Sequence, residues 1–158
     1  MKLNEVQALA ISLMDQYGLL DKGWYFKFNN RKTSFGVCKG RKKAIELSKP
    51  LCELNGLYEV NDVILHEIAH ALVGVKQGHN DVWKRKCIEI GAKPERCFSS
   101  ERVNTPQLRY VATCGGCGKI HDKARKPNPI TKIACLCQNG KAWSEKIVLN
   151  FVDTKFGY

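Results

Sequence analysis

The sequence lacks any apolar run long enough to cross a membrane as a helix, so no membrane partner is expected. It is also short of acid: 15 Asp and Glu stand against 26 Lys and Arg, a formal net charge of +11. Between Lys22 and Lys43 there is no acidic residue at all. Such an imbalance argues against a cationic partner and for an anionic one. A signal peptide is not expected either. The one apolar stretch near the start, Val6 to Met14, is broken by Gln7 and Ser12 and flanked by Glu5 and Asp15. The chain is therefore expected to be cytoplasmic, with its 8 cysteines reduced and the closely paired ones holding metal rather than forming disulfides.

A length of 158 residues with 44% hydrophobic content suits one compact domain, or one with a small appendage. Three of the 4 histidines fall between Asn61 and Trp83 (NDVILHEIAHALVGVKQGHNDVW). Val63, Ile64, Leu65, Ile68, Ala69, Leu72, Val73 and Val75 make this stretch apolar on nearly every side, which predicts a buried helix. Asn61 or Asp62 is the expected cap and Gly78 the expected stop. His66, Glu67 and His70 form H-E-x-x-H. Residues four apart share a helix face, so His66 and His70 can aim at one ion. Glu67 then lies beside that ion, where a general base for an activated water belongs. His79 follows the glycine and can return as a third ligand. A helix this apolar has no cheap place for two imidazoles and a carboxylate unless they share a partner, and a zinc ion with its water serves all of them.

Periodicity predicts a first helix ending near Tyr17-Gly18, strands at Trp24–Phe28, Phe35–Cys38 and Ala44–Ser48 in a small antiparallel sheet, and a second helix over Asp81–Ile90 whose Trp83 packs on the metal helix. An edge of that sheet can hold a peptide by strand addition. Cys38, Cys52, Cys87 and Cys97 read as small buried residues. Composition turns polar over Ser99–Gln107, giving expected domains of residues 1–103 and 104–158. The second holds Cys114-Gly-Gly-Cys117, then seventeen residues, then Cys135-Leu-Cys137. Tight cysteine pairs separated by a hairpin-sized insert predict a zinc-ribbon-like β subdomain, since so small a unit needs a staple. The second pair has one spacer residue rather than two, and His121 is an alternative ligand. Lys146–Val152 reads as a closing strand. The fold class is thus α+β, with a metal-binding helix packed on helices and a small sheet.

Lys39, Arg41, Lys42 and Lys43 in the acid-free stretch, and Lys123, Arg125 and Lys126 in the ribbon, are the expected nucleic-acid contacts. The alternative for such runs is a solvated face.

H-E-I-A-H-A, a short spacer and G-H-N-D-V-W-K together resemble the SprT-like (Spartan-type) zinc metalloprotease family. W-Y-F-K-F-N-N-R, F-G-V-C, A-I-E-L-S and I-G-A-K-P-E-R-C resemble the same family, as do the paired cysteines, so the likeness covers nearly the whole chain. Asn80 and Asp81 depart from the glycine and proline that the family usually has after the third histidine. The resemblance implies an endopeptidase acting on proteins bound or crosslinked to DNA; the chain is expected to be a monomer with one catalytic and one structural Zn²⁺, and its basic surface to meet single-stranded or disrupted duplex DNA. The rival readings are a DNA-binding zinc module without proteolytic activity and a metallopeptidase with a target unconnected to DNA.

Overall fold

The structure, a computed structural model, describes residues 1–96, 102–128, 130–142 and 145–156. It is α+β and divides into two compact units, Met1–Pro106 and Gln107–Tyr158. Among the described residues no helix is long and apolar enough to cross a membrane.

The first unit begins with helix α1 (Leu3–Gln16), which buries Val6, Ala10 and Met14 at four-residue intervals. It closes at Tyr17, with Gly18 taking φ 62°. Three strands follow: β1 (Tyr25–Asn29), β2 (Gly36–Lys39) and β3 (Ala44–Ser48). The expected antiparallel sheet is in fact mixed. Its order is β1-β3-β2, with β1 parallel and β2 antiparallel to β3. All five residues of β3 are buried, as befits a central strand covered on both faces. That position leaves β2 at an edge. Glu46 of β3 is 2% exposed and is satisfied from both flanking strands, by Lys27 Nζ at 3.2 Å and Lys39 Nζ at 2.7 Å.

Ser48 ends the sheet and starts helix α2 (Lys49–Leu54), its Oγ accepting from Leu51 N at 3.3 Å. The same residue ties down the β1–β2 loop: its backbone N–H donates to Phe35 O at 2.8 Å and its hydroxyl to Arg31 O.

Helix α3 (Leu57–Val73) is the centre of the unit. It starts one turn earlier than expected. Gly56 caps it, and Asp62, instead of capping, accepts the Lys93 backbone N–H at 2.9 Å. It also ends earlier, at Gly74, which takes φ 90°. A single 3₁₀ turn (Val75–Gln77) intervenes before Gly78 at φ 56°. Two glycines rather than one therefore reverse the chain. Asn80 then caps α4 (Asp81–Glu89), its Oδ1 accepting from Val82 N and Trp83 N at 3.1 and 3.2 Å.

The second unit is a three-stranded sheet of order β5-β4-β6, with β4 Tyr110–Thr113, β5 Ile120–Lys123 and β6 Val152–Asp153. The expected strand over 146–152 is reduced to a bridge between Ala134 and Val148 and to β6 itself. Its core is small: Ala112, Cys114, Cys135 and Leu149, with Ile133 and Phe151 against them. Two of the four are thiols, so a staple is needed.

A candidate metal centre under an edge strand

The α3 helix presents His66, Glu67 and His70 inward, and they are 7%, 6% and 8% exposed. The glycine turn returns His79 to the same point. Its Nε2 lies 3.3 Å from His66 Nε2 and 3.2 Å from His70 Nε2. Three imidazole nitrogens converging in this way cannot all be satisfied by hydrogen bonds to each other, because a neutral ring nitrogen either donates or accepts. Their spacing matches a tetrahedral ion: bonds of about 2.0–2.1 Å place ligand nitrogens roughly 3.3 Å apart. The surroundings disfavour the charged form of all three rings, and ligation requires the neutral one. Burial pushes His66 down to about 3, aided by His70 and His79, and His70 down to about 4, aided by His79. His79 is lowered by burial and then by the charge of Arg96.

Trp83 fixes the rings. It is fully buried, stacks on His70 (centroids 5.1 Å apart, 23° between planes) and meets His66 and His79 edge-on at 4.7 and 4.6 Å. The expected packing of Trp83 on the metal helix is thus a contact with all three imidazoles.

Glu67 lies against β2. A Cβ on Gly36 would stand 2.6 Å from Glu67 Oε1 and 2.9 Å from Val63 Cγ1, so only glycine admits this approach of strand and helix. Burial raises Glu67 to about 8, with a backbone N–H of Cys38 pulling the other way. A dication beside it would restore the carboxylate. Over these groups opens a cleft of about 480 Å³, to which β2 contributes Gly36 and Val37, and which Leu51, Val103, Lys32 and Arg96 also line. Gly36 and Arg96 lie in the F-G-V-C and I-G-A-K-P-E-R-C stretches and Lys32 in the acid-free one, but the sequence does not mark them as cleft residues, because each reaches the cleft only through the sheet order and the loop ties.

The second unit has its own centre. Cys114, Cys117, Cys135 and Cys137 come together, with Sγ atoms 3.6 Å apart for Cys114 and Cys137 and 3.7 Å for Cys117 and Cys135. Zinc–sulfur bonds of about 2.3 Å set tetrahedral sulfurs roughly 3.8 Å apart, so the geometry fits that ion. The one-residue spacer still delivers both thiols: Leu136–Gln138 forms a 3₁₀ turn after Cys135. His121 stands on β5 opposite Ala112 and is not in the cluster. Backbone N–H groups of Gly116 and Cys117 draw Cys114 down to about 7, toward its thiolate. Gln138, which sequence alone did not single out, is buried and donates Nε2–H to Cys137 Sγ at 3.1 Å.

The predicted cationic contacts are dispersed. Arg41, Lys42 and Lys43 are exposed on and after a 3₁₀ turn, whereas Lys39 is engaged by Glu46. Lys123, Arg125 and Lys126 are exposed, the last two in an irregular loop. Cys52 and Cys87 are buried and Cys38 half-buried; Cys97 lies outside the described residues.

A buried histidine triad with an adjoining carboxylate on a core helix, opening to a cleft under an edge strand, is the arrangement of a metallopeptidase-type domain. The chain belongs to the SprT-like family, whose profile matches residues 9–105. No curated protein matches the chain.

Proposed function

We propose that the chain is a zinc-dependent endopeptidase acting on proteins bound or crosslinked to DNA. The observation that carries the reading is the convergence of His66, His70 and His79 beside Glu67 at the floor of an open cleft. His66, His70 and His79 would hold the catalytic ion and leave a fourth position free; the four cysteines would hold a structural one, with no position to spare. When bound, the catalytic ion supplies a Lewis acid that acidifies a water and polarises a carbonyl. The Glu67 carboxylate would serve as the general base, taking up a proton and passing it to the leaving nitrogen. Its burial between α3 and β2 shields that transfer from bulk solvent, and Gly36 is the β2 residue that admits the carboxylate there. Trp83 holds the three rings in register. β2 stands at the sheet edge, where Gly36 O already accepts from Ser34 Oγ at 2.9 Å and the Cys38 N–H donates to Glu67, so strand addition would use the backbone groups that these contacts leave over.

The DNA component rests on charge: a net +11, with Arg41, Lys42, Lys43, Lys123, Arg125 and Lys126 exposed. The test is cleavage of a DNA-binding protein by the wild-type chain with and without single-stranded DNA. Strong stimulation by DNA is the expected result. Cleavage indifferent to DNA would leave the peptidase and remove the DNA-directed role. Zinc binding and DNA binding with no cleavage of any protein would support a non-proteolytic module instead.

A further inference from the structure

The cleft carries an imbalance of charge that the proposed chemistry does not use. Among the described residues three charged side chains line it, namely Lys32, Glu67 and Arg96. Glu67 is 6% exposed, lies against Gly36 and is committed to the metal site. Lys32 and Arg96 are both exposed, and neither has an ion-pair partner among the described residues. They reach the cleft from opposite ends of the unit's sequence. Lys32 is held there by the Ser48 ties to Arg31 and Phe35 on either side of it. Arg96 stands near enough to His79 for its charge to act on that ring. A divalent ion on the histidines would add two positive charges to the same cleft. The surroundings favour a polypeptide as the occupant: Phe35, Leu51 and Val103 give the cleft apolar walls, and β2 beside it is an edge strand.

We propose that this cleft selects polypeptide segments with an acidic side chain beside the bond presented to the metal site, and that Lys32 and Arg96 are the residues that determine this preference. The inference rests on the peptidase reading for its site, but selectivity can be measured without turnover. The consequence is specific. Many DNA-binding proteins are basic, and their Lys- and Arg-rich segments would be repelled from a cationic cleft, so their acidic or neutral stretches would be the ones engaged.

The experiment uses the zinc-loaded Glu67→Gln chain and two fluorescent peptides of one sequence, with Glu or with Lys at the positions flanking the central bond. Anisotropy titrations at low salt should show the Glu peptide bound roughly five- to tenfold more tightly, the advantage shrinking as salt screens it. Lys32→Glu combined with Arg96→Glu should reverse the order. Equal affinities, a preference for the Lys peptide, or no binding of either up to millimolar peptide overturns the proposal. So does a double variant that loses single-stranded oligonucleotide binding while keeping the parent's peptide preference, since the two cations would then serve nucleic acid. Selective binding of the Glu peptide by a wild-type chain that cleaves neither peptide would sustain the selectivity and contradict the peptidase reading.

Discussion

Gly36 and Glu67 are in such close contact that a single methyl group between them would sit 2.6 Å from Oε1 and 2.8 Å from Cγ of the glutamate. The edge strand and the metal helix are therefore fitted around the carboxylate. Gly36→Ala should destabilise the chain by about 1–3 kcal/mol, the usual range for overpacking, and should lower cleavage further by displacing Glu67. Thermal melts and peptide turnover on the same preparation check this. Wild-type stability and activity in the alanine variant would show that helix and strand can separate freely.

The pH dependence of the metal-free chain has two arms. His66 and His70, held near 3 and 4 by burial, contribute stability that is fully present above their ordinary pKa of 6.5 and is lost as pH falls through those values. Glu67, raised from 4.5 to about 8, contributes stability that is present below 4.5 and is lost as pH rises through about 8. Below 6.5 the two histidines outweigh the one carboxyl, so stability should peak near pH 6.5. From there to pH 8 it should fall by about 1.4 kcal/mol per pH unit. Urea unfolding after chelation, at pH 5.5, 6.5 and 8, measures both arms. Glu67→Gln should flatten the alkaline arm and steepen the acid one, because the carboxyl that opposes the two histidines is gone.

The same carboxyl couples metal uptake to protons. At pH 7 the histidines are already neutral, whereas Glu67 is mostly protonated until a cation arrives. Zinc binding at this site should release close to one proton at pH 7 from Glu67, and Glu67→Gln should lower the release to what the acidified water alone supplies. Calorimetry in buffers of different ionisation enthalpy reads the number directly. Equal release from both chains would place the proton elsewhere.

Metal stoichiometry separates the two centres. The intact chain should carry two zinc ions, His79→Ala and Cys117→Ser one each. The cysteine variant should also lose ordered structure in the residue 107–158 unit, whose four-residue core cannot stand alone. Full occupancy in His79→Ala would remove His79 from the ligand set.

Much of this site is visible in the sequence, because a helix period puts His66 and His70 on one face and a glycine announces the turn to His79. The cysteine pairs are equally plain, and the fused spacer at Leu136 proves compatible with a four-sulfur cluster. Other features are not. Leu57 and Tyr58 are exposed apolar residues, so periodicity gave no reason to start the helix before Asn61. Strand periodicity at Ala44–Ser48 reports burial but not neighbours, so the parallel β1–β3 pairing was not legible, nor was β2 as the strand beside Glu67. Lys32 and Arg96 look like ordinary surface cations until the sheet order and loop ties bring them to one cleft. In the second unit the apolar run at 146–152 reads as a strand, yet Ile147, Val148 and Val152 are exposed and only Leu149 is buried.

The most direct test of the central claim compares the zinc-loaded wild type and Glu67→Gln on an unstructured fluorescent polypeptide, with zinc content measured on the same samples. The account predicts equal zinc and equal folding, with turnover by the glutamine variant reduced by roughly 10²–10⁴-fold, the range for losing a positioned general base. Undiminished cleavage by Glu67→Gln with zinc in place would contradict it.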